Sequence, residues 1–259
     1  FLEAYGDPSI GGVSGGKQPT GPDGHWLEPL TFLSVVAGAT SSVRLGTNIL
    51  LAALRRPAVL AKSLATLDVL SNGRVDLGVG VGWQKEEYDA CGLDFANRGR
   101  LLDHTLEVCQ TLWTQTTAQY SGKELQFSDI HAMPKPLQIG GVPIWVSGTV
   151  NKLSMRRLAT FGSGWIPWGP DAVNIKSGIE SMRTAVSAYG RDPNEIQVIG
   201  TLPITRNDDG VDLDATMSNV PGLIKAGVTD FRAYLPVPDG LDPATNYLTD
   251  VVKRFNDCI

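Results

Sequence analysis

From Val43 to Phe255 the chain alternates short apolar runs with amphipathic stretches, each closed by a turn signal. The spacing predicts strands at Val43–Leu51, Arg74–Trp83, Ile144–Ser147, Gly164–Trp168, Ile196–Thr205 and Val228–Val237. Helices are predicted at Leu27–Thr40, Pro57–Leu70, Arg98–Trp113, Lys152–Phe161, Ala172–Tyr189, Leu213–Ala226 and Ala244–Phe255. Strands that alternate with helices pair in parallel through right-handed crossovers, because each helix must return the chain to the same end of the sheet. Six strand-then-helix units admit two architectures, an open doubly wound sheet or a (β/α)8 barrel. Punctuation supports the boundaries: Pro57 suits the first turn of a helix, and Gly73 in SNGR suits the end of one. AQYSGKELQF reads as a hairpin around Ser121–Gly122. Residues 1–24 are dense in Gly, Pro, Ser and Asp and read as loop.

Composition narrows the class. The 259 residues are 42% hydrophobic and 19% charged, enough to build a core and too apolar for a disordered chain. The formal net charge of -5 argues against a nucleic-acid binder. Three cysteines, Cys91, Cys109 and Cys258, form no C-x-x-C pair, which points to free thiols in a reducing cytoplasm. No run of 18 apolar residues predicts a membrane span.

The second strand carries the most informative pattern. In RVDLGVGVGW, Val75, Leu77, Val79 and Val81 alternate with Asp76, Gly78, Gly80 and Gly82. Period two is strand spacing, yet one face is nearly bare, and glycine weakens a strand interior. A dinucleotide fingerprint would explain the glycines, but its third glycine is replaced by Lys85 or Trp83, depending on the start. Two readings remain. The bare face accommodates bulky neighbours, or it lets a flat ligand approach the backbone at the C-terminal strand end, where α/β enzymes place their sites.

Other motifs carry less. GVSGG at Gly12–Gly16 matches G-x-S-x-G but lacks the strand and helix that a nucleophile elbow needs. His25, His104 and His131 lack metal-ligand spacing, and His104 reads as a packed or surface residue of a helix. Glu86 and Glu87 suit a helix N-terminus, with a role near a ligand as the second reading. SGTVNK, Ser147–Lys152, joins a strand to a helix, so its backbone N–H groups form either an ordinary cap or an anion site, with Ser147 and Thr149 as hydroxyl donors. A ring over the glycines and a phosphate at this turn would together be a phosphorylated cofactor.

Longer segments bring a resemblance. VRLGTNILLAALRRPAVLAKSLATLDVLSNGRVDLGVGVGWQKEEYDACG and PIWVSGTVNKLSMRRLATFGSGWIPW resemble successive signatures of the bacterial luciferase-like monooxygenases, and YGRDPNEIQV and LIKAGVTDFRAYLP resemble later ones. The resemblance runs from about Trp26 to the end and is nearest the branch that uses the deazaflavin coenzyme F-420. It implies a (β/α)8 barrel forming a single domain over 1–259. The six units would be strands three to eight, so the chain would lack strand 1, helix 1 and strand 2 and be N-terminally incomplete.

The resemblance also assigns a site. Asn48–Ile49 falls where the family has a non-prolyl cis peptide beneath the ring, with Ile49 as backstop. Val81 and Gly82 fall where the backbone lines the ring. Gly148 and Thr149 match the phosphate-binding turn, with Asn151 and Lys152 close behind, and Trp168 matches a cofactor-side position. Trp83 and Glu86 stand on the substrate side, in place of an acidic residue and an Asn of a sugar-phosphate-oxidising branch, so that substrate is not expected. No catalytic acid or base is assigned. The implied activity is hydride transfer between coenzyme F-420 and a small organic substrate. The alternatives are an FMN-dependent monooxygenase and a non-catalytic flavin-binding relative. Trp83, Trp165 and Trp168 hint at an apolar or planar substrate. A cytoplasmic homodimer is the expected assembly.

Overall fold

A computed structural model describes residues 24–208 and 210–259. The loop reading of the first 23 residues and the GVSGG match lie outside them. The chain divides into two compact units. One runs to Ser147 and takes in Thr160–Gly162, and the other comprises Gly148–Ala159 and Ser163–Ile259.

The first unit opens with α1 (Pro29–Ala39), whose N-terminus is capped by the Glu28 carboxylate accepting from Thr31 N–H at 2.7 Å. β1 (Leu45–Gly46), α2 (Pro57–Leu70) and β2 (Val75–Val79) follow. Pro57 stands in the first turn of α2, as its fixed φ favours. Gly73, at φ +75°, ends that helix by donating to the Asp68 carbonyl. Next come α3 (Lys85–Ala90), α4 (Arg98–Thr114), the antiparallel hairpin of β3 (Ala118–Ser121) and β4 (Gln126–Ile130), and β5 (Ile144–Gly148). β2 pairs in parallel with β1, Leu45 opposite Val75, and with β5, Leu77 opposite Ile144. The apolar face of β2 is core: Val75, Leu77 and Val79 are at most 1% exposed. α4 packs on α2 through Leu102, Leu106 and Trp113, whose indole Nε1 donates to the Ala61 carbonyl at 3.0 Å.

Two buried charges tie these elements together. Arg74 donates through its guanidinium to the carbonyls of Ala37, Thr40, Val43 and Ser71 and to Thr40 Oγ1. It thereby satisfies the carbonyls at the end of α1 that no helix turn can reach. Asp68, fully buried on α2, accepts from the backbone N–H groups of Leu137, Gln138 and Val75 and from Gln138 Nε2.

The second unit contains α5 (Lys152–Phe161), most of which lies in this unit, then β6 (Gly164–Pro167), α6 (Pro170–Val173), α7 (Ile175–Ser187) and β7 (Gln197–Thr201). A short antiparallel pair, β8 (Arg206–Asn207) and β9 (Gly210–Val211), precedes α8 (Leu213–Met217), α9 (Val220–Ala226), β10 (Asp230–Arg232) and α10 (Leu241–Asn256). β7 pairs in parallel with β6 and with β10, where Thr201 stands opposite Arg232. Leu202, Met217 and Val220 form a buried cluster, against which Leu223, Phe231, Val251 and Phe255 pack.

Four predicted elements differ. The Val228–Val237 strand is regular only at Asp230–Arg232. The Val43–Leu51 strand pairs regularly only at Leu45–Gly46 and again at Leu50, which bridges to Val79. The Ala172–Tyr189 helix is two helices meeting at Asn174. The Leu213–Ala226 helix breaks at Ser218–Asn219, and Pro221 in the first turn of α9 is the residue that should have signalled the break.

Candidate functional site

The bare face of β2 is not empty. Beyond Gly46 the chain is held close to it: Thr47 Oγ1 and Leu50 N–H both donate to the Gly78 carbonyl at 2.8 Å. Between them the Asn48–Ile49 peptide is cis, as the resemblance implied. The Ile49 side chain lies directly over Gly80, where an added Cβ would stand 2.7 Å from Ile49 Cδ1. Leu51 covers Gly82 in the same way, 2.9 Å from an added Cβ, and Gly82 has a φ of +72° that side chains rarely adopt. The first reading of the glycine stripe, room for bulky neighbours, is what the structure shows. Bulky neighbours do occupy the face, and what they leave is a smooth strip of backbone from Gly80 to Gly82 floored by two aliphatic side chains. Leu51 was not singled out from the sequence, because only the fold places it over Gly82.

The far end of the strip is anchored. The Val81 carbonyl accepts from the Tyr88 hydroxyl at 2.6 Å, and Tyr88 is fully buried against the edge of Phe95. Trp83 is half-buried, Gln84 is buried, and α3 starts at Lys85. Glu86 is exposed and Glu87 half-buried, both in the first turn. Burial, with the neighbouring Glu86 charge, pushes the Glu87 carboxyl above the ordinary carboxylate range.

The strand-to-helix turn of the second unit is strongly built. Gly148 adopts φ +153°, and its carbonyl accepts from the Trp165 indole Nε1 at 3.0 Å. Asn151 caps α5: its Oδ1 accepts from Leu153 and Ser154 N–H, both at 3.0 Å. The Asn151 Nδ2 donates to Thr149 Oγ1 and the Ser154 hydroxyl donates to the Thr149 carbonyl. The backbone N–H groups of Asn151 and Lys152 take no acceptor among the described residues, and the Lys152 side chain is exposed beside them.

Two sequence expectations change here. The turn is not simply open to an anion, since the Asp171 carboxylate accepts from Val150 N–H at 2.7 Å and sets a negative charge at its edge. Asp171 escaped the sequence reading because it lies 21 residues along the chain, and its one signal is its place in the first turn of the helix after Gly169–Pro170. Nor does Trp165 face a substrate: it is 0% exposed, and its indole serves the turn. Trp168 is 43% exposed. His104 is packed against the hairpin, its Nδ1 2.9 Å from the Tyr120 hydroxyl. Among the described residues no group of three metal-binding side chains converges, and no helix is long and apolar enough to cross a membrane.

Residues 16–229 match the family described as luciferase-like monooxygenase. This chain belongs to that family. An uncharacterized protein of Mycobacterium tuberculosis, Rv0953c, is 36% identical over 166 residues, which cover 64% of this chain and 58% of the relative. The chain thus spans little more than half the length of that curated relative. Among solved structures, the monooxygenase RslO1 from Streptomyces bottropensis matches with a TM-score of 0.72 at 21% identity, over 90% of this chain and 82% of that one. A coenzyme F-420-dependent secondary alcohol dehydrogenase, solved with an F-420–acetone adduct, matches with a TM-score of 0.62 at 16% identity, over 92% and 77%. The luciferase-like fold is of the (β/α)8-barrel type, which resolves the choice between open sheet and barrel.

Proposed function

We propose that this luciferase-like chain is an oxidoreductase that binds a flavin-type coenzyme, coenzyme F-420 in preference to FMN, and acts on a small organic substrate. The observation that carries the reading is the Gly80–Gly82 strip, where any side chain would collide with Ile49 or Leu51. Such a surface suits a flat ring and little else. Asn48, Ile49, Val81 and Gly82 would support that ring. Gly148, Thr149, Asn151 and Lys152 would receive a phosphate through the N–H groups and ammonium of the turn. When bound, the coenzyme supplies the two-electron chemistry.

The chain's own part is to support and bend the ring and exclude water from it. Ile49 and Leu51 present only hydrocarbon to the strip, and Tyr88 fixes its rim through the Val81 carbonyl. Trp83 and Glu86 are the proposed substrate-side residues, and Glu87, whose carboxyl burial favours the protonated form, joins them from the structure. The preference for F-420 is supported by the segments that resemble the deazaflavin branch and by the F-420-dependent dehydrogenase among the structural neighbours. The monooxygenase RslO1 supports a monooxygenase activity, which would use FMN, as the second reading. We place the protein in the cytoplasm as a homodimer.

Paired titrations decide the coenzyme. F-420 and FMN are each added to the protein and followed by fluorescence and calorimetry. Micromolar binding of F-420, with FMN roughly tenfold weaker (about 1.4 kcal/mol), is the expected result. The reverse order would move the protein to the oxygen-using branch. Absence of both would remove the reading.

A further inference from the structure

At the C-terminal end of β10 stands a cation with no counter-charge among the described residues. Arg232 is half-buried, and its Nε is wholly shielded with no hydrogen-bond partner. Among the described residues its one polar contact is Nη2 donating to Thr201 Oγ1 at 2.8 Å, and its guanidinium lies 5.4 Å from the centre of the Tyr234 ring. No carboxylate among the described residues pairs with it. Asp230, two residues back on the strand, engages the Thr229 hydroxyl instead.

The setting is defined by strand alternation. Phe231 points into the helix layer, edge-on to Phe255 at 5.2 Å and against the Leu202–Met217–Val220 cluster. Successive strand residues face opposite sides. Arg232 therefore projects from the face turned away from those helices, and Thr201, opposite in register, is the last residue of β7. Arg232 likewise ends β10. Arginine is seldom withdrawn from water without a partner, since desolvating charge and N–H groups is costly. Two other half-buried arginines of this chain do carry a carboxylate, Arg55 on Glu28 and Arg254 on Asp250 and Asp214.

We propose that Arg232, with Thr201 and Tyr234, forms a binding site for an oxyanion, the carboxylate or phosphate of a bound small molecule. Nη1, which has no partner among the described residues, and the second N–H of Nη2 present the two parallel donors that such a group accepts in bidentate fashion. The Thr201 hydroxyl holds the guanidinium in place, and the Tyr234 ring shields one face of it. The inference shares with the proposed function the premise that ligands bind at this end of the strands.

The test uses the whole protein, with inorganic phosphate and benzoate as probes. Arginine Nε–H resonances are followed in the wild-type protein, and calorimetric titrations compare it with Arg232→Gln and Arg232→Lys. The expected result is a probe-dependent shift of the Arg232 Nε–H signal, and loss of affinity by about tenfold or more in Arg232→Gln, partly restored in Arg232→Lys. F-420 and FMN titrations of the same variants identify the source. Unchanged coenzyme affinity assigns the site to a substrate group, and a parallel tenfold loss assigns it to the coenzyme's own phosphate. If neither probe moves the Nε–H signal and Arg232→Gln binds coenzyme as before, the site is refuted. Coenzyme binding that is equal in wild type and Arg232→Gln, without any probe effect, would overturn this inference alone. Probe binding without coenzyme binding would overturn only the proposed function.

Discussion

Two residues decide how the candidate subsites work. Gly82 combines a left-handed φ with close cover by Leu51. Gly82→Leu would force a side chain into a conformation that costs about 1–2 kcal/mol and displace Leu51. Coenzyme affinity should fall roughly tenfold or more, a change of about 1.4 kcal/mol, with far-ultraviolet circular dichroism unchanged. Full affinity would show that the strip is not the ring seat. Asp171 acts in the opposite sense, because its carboxylate on Val150 N–H repels any anion at the turn. Asp171→Asn keeps an oxygen acceptor and removes the charge. A phosphate-bearing coenzyme should then bind several-fold tighter at low salt, with the gain shrinking in 0.5 M salt as screening grows, the Debye length being about 10 Å at 0.1 M. An affinity indifferent to the substitution would place the phosphate elsewhere. The glycines were legible in the sequence because their pattern is local. Asp171, Leu51 and Arg232 were not, because each matters through a neighbour that only the fold supplies.

At the scale of elements, α1 depends on a residue that is not part of it. Arg74→Met would leave the carbonyls of Ala37, Thr40, Val43 and Ser71 short of donors in a site 8% exposed. Urea unfolding should show a loss of about 3 kcal/mol or more, and Arg74→Lys should rescue little, since an ammonium cannot fork to four carbonyls. Nothing in SNGR announces this role. The motif signals a helix end, and the same turn also aims the arginine at a different helix. The hairpin against α4 offers a pH test. The Tyr120 hydroxyl donates to Glu107 at 2.8 Å, and burial with that carboxylate raises it to about 12. Burial is also the largest influence on His104, and it lowers the ring below its ordinary value. As pH falls, the unfolded chain therefore takes up the histidine proton first, and acid favours unfolding. Wild-type stability relative to His104→Gln should be greatest above about pH 6.5 and decline below it. A melting-temperature difference that grows toward pH 5 would mean that Glu107 outweighs burial. Helix ends and parallel strands were readable here because caps, prolines and alternation act over a few residues. The short β1 was not, since its pairing depends on how the chain turns between Gly46 and Leu50.

For the whole molecule, three free thiols report on both units. Cys91 is exposed, Cys258 half-buried, and Cys109 fully buried with its Sγ 3.8 Å from the Pro57 carbonyl. Burial pushes the Cys109 thiol far up, so its reactive thiolate is scarce as well as shielded. Disulfide-exchange labelling followed by mass spectrometry should modify Cys91 first, Cys258 next and Cys109 only when the first unit opens. Labelling of Cys109 as fast as Cys258 would show that the α2–α4 packing breathes. The second unit carries a further consequence. Among the described residues the side chains that bond its Gly148–Lys152 turn, Asn151, Ser154, Trp165, Asp171 and Tyr189, all come from within that unit. The entropy of ordering the turn is spent when the unit folds, and none of it falls due when a ligand arrives. Association there should behave as capture by a rigid receptor, governed by diffusion and charge, with no slow rearrangement in its kinetics.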